Sequence, residues 1–236
     1  MANAIKLGSL YLDGSPVEIG AEYITGQSIK VGKTVPGKEI CWVAVNGMLI
    51  ADRCLLTHIS GDDLDAQGLV FGKEIIVQGF RFKVRLLKVG SEKGVPNEWD
   101  AALDAVGEDN GLWHWSERYF WGQESVRGSA SYRAYRGYYS ARYWDWDLSS
   151  RRYASRGFRP ALEPLPTAPS ALRPGQEVMA IGRDGCVVGQ LVEKTQYDLI
   201  LRPKAGVAPG ISSFATNIQD GTLAIDRDRI LGIATA

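Results

Sequence analysis

Between Trp113 and Arg159 the chain places 14 of its 23 aromatic residues in 47 positions, together with nine arginines and no lysine. The run opens as Trp-His-Trp-Ser-Glu-Arg-Tyr-Phe-Trp-Gly-Gln-Glu, continues from Arg136 through Asp147 and closes at Gly157-Phe158-Arg159-Pro160. Tyr, Trp, Arg, Ser, Gly and Asp are the letters of a recognition surface. Tyr and Trp give rigid contact area at low entropy cost, Arg gives planar multi-donor contacts, and Ser and Gly adapt. A stretch of this length is too long to be only core or only surface. It must fold as short strands that hide some rings and loops that show others.

Composition narrows the partners. Formal net charge is zero, with 45 % hydrophobic and 23 % charged residues, as in ordinary globular domains. A nucleic-acid binder usually carries a basic excess, so none is expected as partner. No run approaches the roughly 20 apolar residues that cross a bilayer, which argues against membrane insertion. The opening Met-Ala-Asn-Ala-Ile-Lys-Leu-Gly lacks the pattern of a secretory signal, so cytoplasmic synthesis is expected. Cys41, Cys54 and Cys186 are too few and scattered for a disulfide framework or zinc site, and are expected as buried thiols.

Turn dipeptides punctuate the first ninety residues. Asp13-Gly14, Pro36-Gly37, Asn46-Gly47 and Gln78-Gly79 separate short β-like runs. Asn46-Gly47 predicts a type I′ hairpin in which partners sum to 93, setting Cys41 opposite Asp52. Asp62 to Gly68 reads as a short helical or loop excursion. Pro96 to Val106 predicts a helix, with Trp99, Leu103 and Val106 on one face and Asn97 as N-cap. Glu163 to Ser170 holds three prolines in eight residues, the composition of a stiff linker. Beyond it, Glu177–Ile181, Cys186–Val192, Tyr197–Leu201 and Thr222–Ile225 read as strands of a small β-barrel-like module. The whole is read as a β-rich α+β chain, with a first domain over 1–163, a linker over 164–170 and a small β module over 171–236.

Several strings within Val17 to Glu163 resemble a family of phage and prophage proteins with a C-type-lectin-like fold, the fold shared by formylglycine-generating enzymes. They are Asp62-Asp63-Leu64, Gln67-Gly68-Leu69-Val70-Phe71-Gly72-Lys73-Glu74-Ile75, Phe82-Lys83-Val84-Arg85-Leu86-Leu87, Asn97-Glu98-Trp99-Asp100, Trp121-Gly122-Gln123-Glu124, Arg136-Gly137-Tyr138, Ser140-Ala141-Arg142 and Gly157-Phe158-Arg159-Pro160-Ala161-Leu162. Some relatives are the variable proteins of diversity-generating retroelements, whose adenine-directed mutagenesis enriches the letters abundant between Ser125 and Arg156. The resemblance implies irregular loops pinned on a small antiparallel sheet. It assigns Trp99, Trp113, Trp115, Trp121, Arg136, Gly137, Arg142, Gly157 and Phe158 to the frame. It assigns Ser131, Arg133, Tyr135, Tyr143, Asp145, Trp146, Asp147, Ser149, Arg151, Arg152, Tyr153 and Ser155 to a displayed face that captures a protein or glycan. It also implies a virion-associated receptor binder and is compatible with a homo-oligomer.

No catalytic constellation emerges. His58 and His114 are the only histidines, and His114 between two tryptophans reads as a hydrogen-bonded core imidazole. The formylglycine-generating oxidases depend on a cysteine pair near the closing motif, whereas this chain has no cysteine from Leu55 to Gly185. Asp62, Asp63 and Asp65, or Asp145 and Asp147, could offer carboxylates to calcium, but neither group carries an EF-hand loop. Asp62-Asp63 is more simply a charge pair at a helix N-terminus. Gly32-Lys33-Thr34 lacks the earlier glycine of a phosphate loop. The expectation is therefore no catalysis, no metal and no cofactor. Two readings remain: a ligand-binding module, or a phage structural or assembly component with a mainly buried aromatic segment. Exposure of Tyr143, Trp146, Arg151 and Tyr153 separates them.

Overall fold

The computed structural model describes residues 4–204, 213–218 and 220–236. Strand accounts for 44 % and helix for 11 %, so the chain is β-rich with few helices. The first half supplies β1 (Ala4–Leu12), β2 (Ser15–Pro16), β3 (Ala21–Glu22), β4 (Ile29–Gly32), β5 (Glu39–Val45), β6 (Met48–Ala51), β7 (Leu56–Thr57), β8 (Lys73–Val77) and β9 (Phe80–Leu86). The aromatic segment supplies β10 (Tyr119–Ser125), β11 (Tyr132–Gly137), β12 (Trp144–Leu148) and β13 (Arg156–Phe158), and β14 (Pro160–Pro164) follows. The last third adds β15 (Glu177–Ile181), β16 (Cys186–Lys194), β17 (Asp198–Pro203), β18 (Ala215–Asn217), β19 (Leu223–Asp226) and β20 (Gly232–Thr235). Helices α1 (Gly61–Ala66), α2 (Glu98–Val106) and α3 (Asn110–Trp113) lie between strands of the first two groups.

The turn chemistry has the expected geometry. Asn46 and Gly47 have φ of 48° and 80°, the positive pair a type I′ turn needs, and Trp42 lies opposite Ala51. The Asp52 amide donates to the Cys41 carbonyl, which places those residues as partners. Gln78 and Gly79 close the β8–β9 hairpin in the same way. Asn97 caps α2 by accepting from the Asp100 amide, and α2 buries Trp99 and Leu103. Ser60 and Asp63 form a capping box on α1, with Asp62 and Asp63 in its first turn. The α3 turn escaped the sequence reading because four residues are too few to show a helical period.

The described residues form three sheets. The first runs β2-β1-β5-β6-β14-β9-β8, with β4 paired to β1. The second runs β12-β11-β10-β13-β7-β3 and contains most of the aromatic segment. The third runs β18-β19-β17-β16-β15-β20. The first two are joined without a spacer: β13 and β14 are one residue apart, so the closing Gly-Phe-Arg-Pro passes directly from one sheet to the other.

Gly157 makes that passage feasible. A Cβ there would lie 2.3 Å from the Leu56 carbonyl oxygen and 2.9 Å from the Cys54 Cβ. A methyl group must therefore push β13 off β7. Gly157→Ala is expected to cost about 2–3 kcal/mol through overpacking, read as a lowered denaturant midpoint with an unchanged slope.

The proline-rich segment departs from the expected spacer. Pro164 is still in β14, opposite Phe82, and the Leu165 amide donates to the Arg81 carbonyl. Residues Pro169–Ala171 form a 3-10 turn. β6 pairs only with Ala161 and Leu162, so Pro164 owes no amide on that side, and its extended shape continues the sheet along β9 before turning away.

The third sheet is docked on the first body. Val178, Ala180, Val187 and Ile233 face a cluster of their own with Leu199, Leu201 and Ile225. Their neighbours Met179, Ile181, Cys186, Val188 and Ala234 join the cluster that holds Trp42, Phe82 and Leu162. Side-chain alternation thus buries β15, β16 and β20 on both faces, which explains their near-continuous apolar runs. At the contact, the Asn46 and Gly47 amides donate to the Arg183 and Gly182 carbonyls.

Candidate binding face

Alternation along β10, β11 and β12 sorts the aromatic segment into two sides. Phe120, Ala134 and Trp144 pack with Trp99 and Trp113 beneath α2 and α3. Tyr119, Trp121, Tyr135 and Tyr143 pack on the other side, toward the cluster of the first sheet. Arg159 is fully buried in the first group, its guanidinium over Trp99 and Phe120, with Nη2 donating to the Trp113 carbonyl. Arg156 holds the corresponding place in the second. It lies 4.1 Å and 4.5 Å from the Tyr135 and Trp121 ring centroids, and its Nη1 donates to Asp147 at 2.9 Å. Each side is therefore pinned by a buried arginine set against its rings.

The loop from Tyr138 to Tyr143 is held at both ends. Gly137 has φ of 99°, and a Cβ there would meet the Arg118 carbonyl at 2.8 Å. Tyr138 itself sits at φ 70°, an uncommon angle for a residue with a side chain. Its amide donates to the Trp115 carbonyl, which fixes the reversal. At the far end the Trp99 indole donates to the Ala141 carbonyl, and Arg136 donates to that of Arg142. Arg142 reaches Asp104 and Glu108 on and beyond α2 at 2.6 Å each. A rigid scaffold thus presents an irregular loop, the usual division of labour at recognition sites.

Tyr138 and Tyr139, 40 % and 68 % exposed, project from that loop onto Tyr119. Tyr143 completes the group, 5.0 Å from Tyr139. Burial raises the hydroxyl pKa of Tyr119, and its hydrogen bond with Tyr139 adds to that. Burial likewise raises Tyr135, with Asp145 adding to it. These hydroxyls stay protonated. Around the edge strand β12, Trp146 is 46 % exposed and meets Tyr132 edge-on at 4.8 Å. Tyr153, 42 % exposed, lies over Arg156.

The residues assigned to display do not all reach the surface. Ser131, Trp146, Arg151, Arg152 and Tyr153 are exposed, while Tyr143, Asp145, Asp147 and Ser155 are half-buried. Arg133, Tyr135 and Ser149 are buried, which corrects their assignment. The cause is register. Arg133 and Tyr135 point from β11 to the packed side of the sheet, where Tyr135 meets Trp121 and Arg156, and Arg133 spends its guanidinium on the Gln123 carbonyl. Ser149 is tied through its main chain to Ser131 and Asp62. Arg152 is exposed yet engaged, donating twice to Asp63 at 2.8 Å. Burial would raise the Asp63 carboxyl, but hydrogen bonds from Arg152 and Ser60 outweigh it and hold it below its usual value.

The frame is buried at Trp99, Trp113, Trp121, Arg136, Gly137, Gly157 and Phe158, while Trp115 is half-buried and Arg142 is 40 % exposed. His114 also departs from expectation. It is half-buried at the end of α3, beside Arg53 and 3.7 Å from Asp52, outside the hydrophobic core. Cys54 is a buried thiol whose burial pushes its pKa up to about 11. Such a group is a poor nucleophile. Among the described residues no group of three His, Cys, Asp or Glu side chains is placed to hold a metal ion. No helix among them is long and apolar enough to cross a membrane.

Tyr119, Tyr138 and Tyr139 were missed in the sequence. Their only local signal is Gly137, a residue able to take the positive φ at which the chain reverses before Tyr138 and Tyr139. No family model, curated protein or solved structure matches the chain.

Proposed function

We propose that this chain is a non-catalytic ligand- or receptor-binding protein of phage or prophage origin, built on a C-type-lectin-like scaffold with a surface suited to retroelement diversification. The observation that carries the reading is the exposed aromatic group Tyr138, Tyr139 and Tyr153 on the Tyr119 side of the sheet, with Trp146 exposed on the opposite side of the same edge strand, all held by a frame locked by Trp99, Arg136, Arg142 and Arg156. Rings that pack along one edge and leave the rest of their surface to water favour a binding site, because partners bury what the fold leaves exposed. Trp146, Arg151 and Tyr153 face solvent, and only Tyr143 is half-buried, which favours display over a wholly structural segment.

The Asp residues of the face are already engaged by Tyr143, Arg156 and main-chain amides, which argues against calcium-bridged sugar binding. The ligand is then a protein or glycan met through rings, hydroxyls and arginine. Fluorescently labelled full-length chain applied to arrayed glycans and to immobilised bacterial surface proteins tests this. Tyr139→Ala together with Tyr153→Ala, two exposed rings on the same side of the sheet, is expected to reduce capture at least about 100-fold, since central aromatic anchors each contribute about 2 kcal/mol or more. The melting temperature should stay within about 3 °C of the parent, as for surface substitutions. A large fall in melting temperature would instead return the segment to a structural or assembly role.

A further inference from the structure

β12 ends its sheet, so among the described residues one side of its main chain has no neighbouring strand. Which groups point outward follows from the register. The Gly137 amide donates to the Tyr143 carbonyl and the Ser149 amide to the Ser131 carbonyl, at the two ends of a ladder in which Tyr135 faces Asp145 and Arg133 faces Asp147. In an antiparallel pair, bonded and non-bonded positions alternate. The amides of Trp144, Trp146 and Leu148 therefore point away from the sheet.

Two of those three are closed by the preceding aspartate. Asp145 Oδ1 accepts from the Trp146 amide at 2.9 Å, and Asp147 Oδ1 accepts from the Leu148 amide at 2.7 Å. The second oxygen of each carboxylate is tied to the face below. Asp145 Oδ2 accepts from the Tyr143 hydroxyl and Asp147 Oδ2 from Arg156 Nη1, both at 2.9 Å. The same arrangement is thus built twice, two residues apart. Residue 143 is a tyrosine, so the Trp144 amide has no such cap.

We propose that Asp145 and Asp147 guard the free edge of the sheet, so that partners meet this face through side chains and never by adding a strand. An incoming strand needs the outward amides as donors and would bring its carbonyl oxygens toward two carboxylates. Occupied donors and like-signed charge both oppose it. An unguarded edge between Trp146 and the tyrosine group would pair with any extended segment, including β12 of a second copy. The guard holds whether or not the face binds a ligand. It also changes the role of two residues assigned to display: they maintain the platform.

Amide hydrogen exchange followed by NMR on the full, unsubstituted chain is the first test. The Trp146 and Leu148 amides are expected to exchange about tenfold more slowly than the outward Trp144 amide, the ratio a charge-assisted hydrogen bond supports. The second test compares D145A/D147A with D145N/D147N by light scattering across a concentration series. Asparagine keeps an oxygen for the amide, so that variant should keep the parent's mass, while the alanine variant should rise to dimers or larger species. Equal exchange at all three amides, or alanine and asparagine variants with the same mass as the parent, would overturn the proposal. Should the alanine variant fail to fold, the exchange measurement decides alone.

Discussion

Replacing Arg136 with methionine is expected to cost about 3–5 kcal/mol of folding stability, the range for breaking one side of a buried ion pair. Methionine has nearly the length and apolar stem of arginine, so packing is largely kept and the loss reports the polar head. Arg136 is buried on β11, and its Nη2 donates to Asp100 Oδ2 at 2.8 Å. Nε and Nη2 both donate to the Val89 carbonyl, and Nη1 to that of Arg142. Without the guanidinium, the Val89 and Arg142 carbonyls lose these donors, and the Asp100 carboxylate at the start of α2 loses its buried cation and keeps only Asn97 Nδ2 on that oxygen. Those three groups belong to the segment before α2, to α2 itself and to the loop carrying Tyr138 and Tyr139. Stability and binding should therefore fall together. Chemical denaturation provides the check: a loss under 1 kcal/mol would mean that water or Arg142 takes over these contacts, and the frame would then rest on Trp99.

The parts of the fold readable from the sequence were those fixed by local chemistry. Asn46-Gly47 and Gln78-Gly79 demand positive φ at consecutive residues, and few other structures accept that. Asn97 with Trp99 and Leu103 reads as a capped helix because the cap and the buried face lie within one turn of each other. The three-sheet arrangement was not readable. β13 is three residues long and pairs in parallel with β10 but antiparallel with β7, contacts set by Gly157 meeting Leu56 across a hundred residues.

The face was legible as a segment and misread as individual positions. Trp146, Arg151 and Tyr153 follow from the aromatic–arginine density. Arg133, Tyr135 and Ser149 could not be sorted that way, because a displayed and a buried tyrosine carry the same letter, and only strand register separates them. Tyr135 and Tyr139 make the point: both flank the Arg-Gly-Tyr turn, but one lies on β11 between two strands and the other past a reversal set by Gly137. The buried arginines invert the usual expectation again. Arg156 and Arg159 are tolerated inside because ring faces attract their cations while Asp147 and the Trp113 carbonyl each accept a hydrogen bond from them.

Ending the chain at Ser170 is expected to abolish the cooperative fold of what remains. Composition divides the chain at the prolines, and the third sheet does have a cluster of its own, so an independent module is the natural expectation. The other face of that sheet argues against it. Met179, Ile181 and Val188 lie in the cluster of the first body, and burying side chains of this kind contributes about 1.5–3 kcal/mol each. Their loss, with the wetting of the residues they cover, is comparable with the whole stability of a domain, roughly 5–15 kcal/mol. Backbone contact adds a second constraint. A Cβ at Gly232 would lie 2.1 Å from the Gly47 oxygen, so β20 and the β5–β6 turn meet main chain to main chain. Residues 1–170 should accordingly be recovered insoluble or with dispersed side-chain order lost by near-ultraviolet circular dichroism, whereas the full chain should unfold in one calorimetric transition. A soluble 1–170 fragment that melts as sharply as the parent would make the third sheet a separate domain, and the close approach of Gly47 and Gly232 only a contact between neighbours.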